Sequence, residues 1–272
     1  SHTFKVGNQE IALVSDPAHC LKNIRTCFLE RKVLIMPDKY VEEHGLSTNE
    51  INYDVFEKMV SFDQQRELQV VPHLSAKILK LQTGRFKKMN VGICMKLLSW
   101  KTASALRWLI KNYPEEFPHY YTTTAVFIEY IAQWWEIMKS RSVAHCFHSQ
   151  NPLMWEKNMT FLKKFLDFWG TIKVHSSQTR AYWPIQKSAL LSTTSIMKLA
   201  EKMVHEDGYV FFLPGRCLND AIENFFSCVR QFNKNPSALM FQRFARAICV
   251  SQFLKYSPSS SYEEDDSERF LV

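Results

Sequence analysis

Between about residue 91 and residue 205, apolar side chains recur at three- and four-residue intervals, the spacing of one face of an α-helix. The intervals predict long helices over Val91 to Lys111, Thr122 to Lys139, Pro152 to Trp169 and Ile185 to His205. In the second, Phe127, Tyr130, Ile131, Trp134 and Met138 share one stripe. In the third, Trp155, Met159, Leu162, Leu166 and Trp169 do so, between an Asn151-Pro152 start and a Gly170 stop. Stripes of this kind face a core. Outside this block, Gln9 to Ser15 reads as a short buried strand. It delivers Asp16-Pro17, an N-cap with proline at the first helical position, to a helix ending near Glu30. Val33-Leu34-Ile35-Met36 is a second apolar run of ambiguous type, and Tyr209 to Leu213, closed by Pro214-Gly215, reads as a third. Helices follow over Asp220 to Phe232 and, after Asn235-Pro236, over Ser237 to Leu254. A strand and helix, a helical block of roughly 170 residues, then a strand and helices again is the order left when an insertion splits a smaller fold.

Composition agrees with a globular, helix-dominated chain: of 272 residues, 46% are hydrophobic and 14% aromatic, with 7 glycines and 10 prolines. The most apolar stretch, Val126 to Trp135, carries Glu129, so no membrane span is expected. Ser1-His2-Thr3-Phe4-Lys5 has neither an initiator Met nor a signal peptide's apolar stretch and reads as the start of a fragment. Seven scattered cysteines without a C-x-x-C pair suit a reducing compartment, and His145-Cys146-Phe147-His148 lacks the second ligand pair that a zinc site needs. The net charge is +7 although Glu263 to Arg269 holds five acids against one base, so the preceding residues are more basic than the total suggests. That excess suits a polyanionic partner or a solvated basic face. Residues 257–272 read as a disordered acidic tail.

Chemistry concentrates at two places. Asp16 opens Asp16-Pro17-Ala18-His19-Cys20-Leu21-Lys22-Asn23-Ile24-Arg25, a carboxylate at a strand-to-helix corner beside bases suited to phosphates. Asp220 and Glu223, in Leu218-Asn219-Asp220-Ala221-Ile222-Glu223-Asn224-Phe225-Phe226, stand three apart on one helix face. By itself the second pair also reads as a capping box whose carboxylates satisfy backbone N–H groups.

Taken with Asn235-Pro236-Ser237-Ala238-Leu239-Met240-Phe241, these stretches resemble the P-element transposase family, including the THAP-domain transposases of animals. The family shows D-x-x-H-x-x-K-N-x-R, then D-x-x-E-N-F-F, then N-P-[ST]-A-L-x-F. Asp16, His19, Lys22, Asn23 and Arg25 match the first motif, and Asp220, Glu223, Asn224, Phe225 and Phe226 the second. The resemblance implies a mainly α (α+β) chain, a partial RNase H-like core split by a large all-helical insertion domain. Residues 1–36 and 206–256 would form the core and residues 37–205 a GTP-binding-like insertion. It implies three catalytic acids holding two Mg²⁺ ions for DNA cleavage and strand transfer. Asp16 would be the second acid and Glu223 the final one, both catalytic and metal-binding, with the first upstream of Ser1.

The resemblance further implies nucleotide contacts at Lys77, Glu136, Lys139 and Asp220, with GTP as the nucleotide. Its DNA contacts would fall at Lys22, Arg25, Arg85, Lys87 and Lys88. DNA and a second copy are the implied partners, the nucleus the implied location. Where the family reads D-x-x-N-S-R, this chain reads Glu136-Ile137-Met138-Lys139-Ser140-Arg141. A donor-only ammonium there replaces an amide that both donates and accepts, and paired glycines are lacking before the N-P motif. These departures point to a diverged relative. The alternative function is a domesticated, catalytically inactive DNA- or protein-binding module.

Overall fold

The computed structural model describes residues 3–7, 9–79, 91–174 and 182–255. The chain divides into two compact units, Ser1–Leu218 and Asn219–Val272. The acidic tail and the basic trio Arg85, Lys87 and Lys88 lie outside the described residues.

In the first unit, β1 (Thr3–Val6) pairs antiparallel with β2 (Gln9–Ala12), Phe4 standing opposite Ile11. The strand expected over Gln9 to Ser15 is therefore shorter than predicted. It is also not buried: Phe4, Ile11 and Leu13 are exposed, because this two-stranded ribbon packs few side chains over its faces. Helix α1 (Pro17–Arg31) starts as its sequence dictates, with Asp16 as N-cap and Pro17 in the first turn. It ends where Lys32 takes a positive φ of 65° and turns the chain into β3 (Val33–Ile35).

The ambiguous run after α1 is thus a strand. It lies at the centre of a three-stranded antiparallel sheet, between β4 (Glu50–Asn52) and β6 (Lys173–Val174). The expectation that residues 37–205 are all-helical is corrected by β4, β6 and β5 (Phe147–His148), which pairs antiparallel with β7 (Phe211–Phe212). Strands of two or three residues are too short to show a period of two.

Helices nevertheless dominate: α2 (Asp38–Glu43), α3 (Asp54–Gln64), α4 (Ala76–Leu79), α5 (Val91–Leu97) and α6 (Trp100–Asn112) precede the central α7 (Thr122–Met138). The single helix predicted over Val91 to Lys111 is two, because Ser99, extended at φ −128°, accepts a hydrogen bond from Thr102 N and caps a new start. α7 is buried on nearly every side. Such a helix has no solvent face and belongs at the middle of a core.

Around it pack α1, α6 and α8 (Pro152–Thr171), with α9 (Tyr182–Glu201) against α8. α8 runs through Gly170 rather than stopping there, since a helical glycine needs no special conformation and only the Leu190 methyls, 3.8 Å from a would-be Cβ, lie near it. Aromatic rings fill the layer between α7 and α8: Trp134 stacks on Phe165 at 5.2 Å and Tyr130 on Phe168 at 4.2 Å. The buried Trp134 Nε1 donates to Thr193 Oγ1 at 2.9 Å, whose hydroxyl in turn donates to the Ala189 carbonyl. The indole is satisfied without water.

The second unit pairs α10 (Asp220–Phe232) with α11 (Ala238–Lys255), joined by the Asn235-Pro236 turn. Phe226 stacks on Phe241 and Phe232 on Phe244, which sets the two helices side by side. Among the described residues no helix is long and apolar enough to cross a membrane.

Candidate functional site

Asp16 is fixed before any ligand is considered. Its Oδ1 accepts from Ala18 N at 3.1 Å, the N-cap bond, and its Oδ2 accepts from His19 Nδ1 at 2.5 Å. The carboxylate side chain is 5% exposed, whereas His19 is nearly half exposed. A carboxylate held at both oxygens by the first turn of its own helix keeps one orientation, and each oxygen retains a lone pair for a cation.

Further along α1, Lys22 and Arg25 follow Asp16 into the interior. They are 6% and 7% exposed, and Arg25 Nη2 donates to the Ile78 carbonyl at 2.6 Å. Among the described residues Lys22 Nζ and Arg25 Nε have no hydrogen-bond acceptor. The two cations face the Cys94 thiol, whose pKa burial pushes up to about 11 and whose thiolate Arg25 and Lys22 would favour. Neither presents its charge at the surface, so a phosphate meets them only if α1 opens from its neighbours.

The residues implied for nucleotide contact sit elsewhere. Lys77 is exposed on the short α4. Glu136 and Lys139 lie one turn apart at the C-terminal end of α7, Lys139 Nζ reaching Glu136 Oε1 at 2.8 Å. The two residues expected to meet a guanine are thus paired with each other.

The same segment is pinned from behind. Gly215 N donates to the Ser140 carbonyl at 2.9 Å, and the Arg141 guanidinium donates to the Gly215 carbonyl at 3.3 and 3.4 Å. A Cβ on Gly215 would come within 2.4 Å of the Lys139 carbonyl oxygen. This turn is the element that reading the sequence missed: Pro214-Gly215 signals a turn, but nothing local says what it touches.

In the second unit, Asp220 and Glu223 occupy the first turn of α10, with Asn219 as N-cap. Asp220 Oδ1 accepts from Ala221 N at 3.2 Å. A capping box requires its acid at the N-cap and its partner at the third position; here the two acids fall at the first and fourth, so that alternative is not realised. Both carboxylates instead lie at the positive end of the helix dipole. The zinc alternative at residues 145–148 fares no better, since Cys146 Sγ donates to the Val143 carbonyl and His148 Nδ1 accepts from Gln150 N.

A mainly helical body that follows an acidic strand-to-helix corner, with a second acidic helix start after it, is the arrangement the three motifs called for. Residues 18–151 match the family model of the TNP-like, GTP-binding insertion domain. In fold the chain is similar to the Drosophila P element transposase of a strand transfer complex, with a TM-score of 0.73 at 17% identity. That alignment covers 92% of this chain and 55% of the transposase, so the chain spans about half of its length. No curated protein matches the sequence. The family model and the shared fold both bear out the resemblance to P-element-like transposases.

Proposed function

We propose that this chain is part of a P-element-like DNA transposase, carrying the insertion domain and two of the acids of a metal-dependent site that cuts and joins DNA in the full-length protein. The observation that carries the reading is the Asp16 corner: a nearly buried carboxylate, locked by Ala18 N and His19, inside a fold shared with the P element transposase. The donor chemistry fits magnesium, a hard cation that takes carboxylate oxygens, and Asp16 and Glu223 are the residues that would hold it. When bound, a metal pair supplies Lewis-acid activation of the attacking hydroxyl and neutralises charge on the leaving oxygen. The protein's own part is to keep Asp16 oriented and to place Glu223 in the first turn of α10, at the positive end of the helix dipole. DNA is the polyanion that the basic balance suits, and the nucleus is where such a protein would work.

Nucleotide binding belongs to the same proposal in weakened form. A guanine edge meets a Glu136 whose Oε1 is already paired with Lys139, and Lys139 offers no acceptor in return. This pair also favours the second reading, a domesticated module that keeps the fold and has lost nucleotide control.

Calorimetric titration of this chain with Mn²⁺, and separately with GTP and Mg²⁺, tests both. We expect Mn²⁺ binding that weakens at least tenfold in Asp16→Asn and in Glu223→Gln, with GTP affinity poorer than micromolar. If both variants bind Mn²⁺ as the parent chain does, the shared metal site is wrong. Micromolar GTP binding abolished by Glu136→Ala would overturn the weakened nucleotide site.

A further inference from the structure

The outer face of α6 is unusual for a surface helix. Its exposed positions include Trp100, Lys101, Ser104, Arg107, Trp108 and Lys111, and no acidic residue occurs anywhere in Trp100–Asn112. At 100° per residue these six fall within an arc of about 120°, so the two indoles and three cations share one side of the helix. The inner side, through Ala103, Leu106 and Leu109, is fully buried against the core. Trp100 and Trp108 are nonetheless 43% and 46% exposed. Two large indoles left almost half in water within one basic stripe need an explanation that scattered surface leucines do not.

The stripe continues past the helix end. The Trp108 ring lies 5.7 Å from that of Tyr113, and the Arg66 guanidinium stacks over Tyr113 at 4.4 Å and over Phe62 at 4.0 Å. Arg107 is already committed, its guanidinium forked onto Glu129 at 2.5 and 2.8 Å. Among the described residues neither Lys101 nor Lys111 has a carboxylate partner.

We propose that this face of α6, with Trp100 and Trp108 as stacking platforms and Lys101 and Lys111 as phosphate contacts, binds single-stranded DNA. Interleaved rings and cations on a helix with no acid of its own, the Glu129 carboxylate being taken up by Arg107, are what a strand with unstacked bases fits: every base offers a π-face to an indole while the backbone tracks the positive charge. A duplex would use only the lysines, because its bases are already stacked on one another. The tryptophans stand eight residues apart, about 12 Å along the axis, or several stacked base steps of 3.4 Å. A strand that engages both has to be splayed rather than helical. A second copy of this chain fits poorly, since a two-fold contact through this face would set lysines of both copies against each other. The inference deepens the proposed function by naming the surface and the form of DNA, and rests on that reading only in taking DNA as the polyanion.

The test is fluorescence anisotropy of labelled oligo-dT and of a matched duplex with the whole chain at several salt concentrations. Trp100→Ala and Trp108→Ala are each expected to weaken oligo-dT binding roughly five- to a hundredfold while leaving duplex binding within about twofold. Trp108→Phe, which keeps a ring, should recover most of the loss, and unchanged circular dichroism melts would show that the fold is intact. Lys101→Ala with Lys111→Ala should weaken both forms and lower the single-strand salt slope by about 1.4. Oligo-dT binding indifferent to both tryptophans, with duplex binding retained, overturns this inference and leaves the proposed function standing. Equal losses for both forms in the tryptophan variants overturn the single-strand assignment. A chain that binds neither form overturns the surface and the DNA reading together.

Discussion

Gly215 shows how one missing methyl group can hold a site in place. Its amide and carbonyl bridge to Ser140 and Arg141, 74 to 75 positions earlier, and its Cα lies so close to that strand of backbone that a Cβ would meet the Lys139 and Ser140 carbonyl oxygens and Arg141 Cγ at 2.4, 2.8 and 2.7 Å. Two of those three atoms are backbone and cannot swing aside. Gly215→Ala should therefore destabilise the chain by about 1–3 kcal/mol through forced displacement of the α7 end. Urea unfolding of the variant checks it, and an unchanged midpoint would mean that the contact is slack. In the sequence this glycine reads only as a turn former. Asp16 was legible because its role is local, set by the proline that follows and the helix that begins there; the constraint on Gly215 comes from a distant segment. The burial of Lys22 and Arg25 was illegible for the same reason, since their motif reads as surface bases.

Helices whose start signals stand at the edge of an apolar run were read almost to the residue: Pro152 opens α8 and Asp220 opens α10. The start of α6 was missed because its signal lies inside a periodic run. Ser99 accepts from Thr102 N at 3.3 Å, and Thr102 Oγ1 closes the corner by donating to the Lys96 carbonyl at 2.8 Å. Thr102 is fully buried, so that hydroxyl has no water to fall back on. Ser99→Ala should cost about 1 kcal/mol as a lost N-cap, and Ser99→Asp should recover it. A thermal-melt series of the two variants measures the difference; equal melting for alanine and aspartate would show that Thr102 alone holds the break. The short strands were illegible on different grounds. Three residues such as Glu50–Asn52 carry no period, and β4 exists because β3 offers it a partner, a long-range fact.

At the scale of the whole chain, the order of elements gave away a mainly helical body, and the motifs gave away its resemblance. The pH dependence of its stability follows from neither, because it depends on which histidines the fold sets against partners and partly removes from water. His44 Nε2 is 3.1 Å from Tyr130 OH, and His73 Nε2 is 2.9 Å from Thr102 Oγ1. Partial desolvation lowers both imidazole pKa values below the ordinary 6.5, with Lys101 and Lys96 adding to the effect at His73. A group whose folded pKa is depressed takes up its proton more readily in the unfolded chain, so stability is lost as pH falls through about 6.5 toward the folded value. Glu43 and Asp167 act lower on the scale. Lys164 holds Glu43 below its ordinary 4.5, and Lys39 with Tyr40 holds Asp167 below 3.8, so their contributions persist above those values and disappear as pH falls through the folded ones. Two separate acid limbs result. Urea midpoints measured from pH 7.5 down to 3 should decline first as pH falls below about 6.5 and again below about 4.5. His44→Gln with His73→Gln, which keeps a polar partner for Tyr130 and Thr102, should flatten the upper limb and leave the lower one. If the upper limb survives that double substitution, other groups carry it, and the His44 and His73 imidazoles are already as easily protonated in the fold as in the unfolded chain.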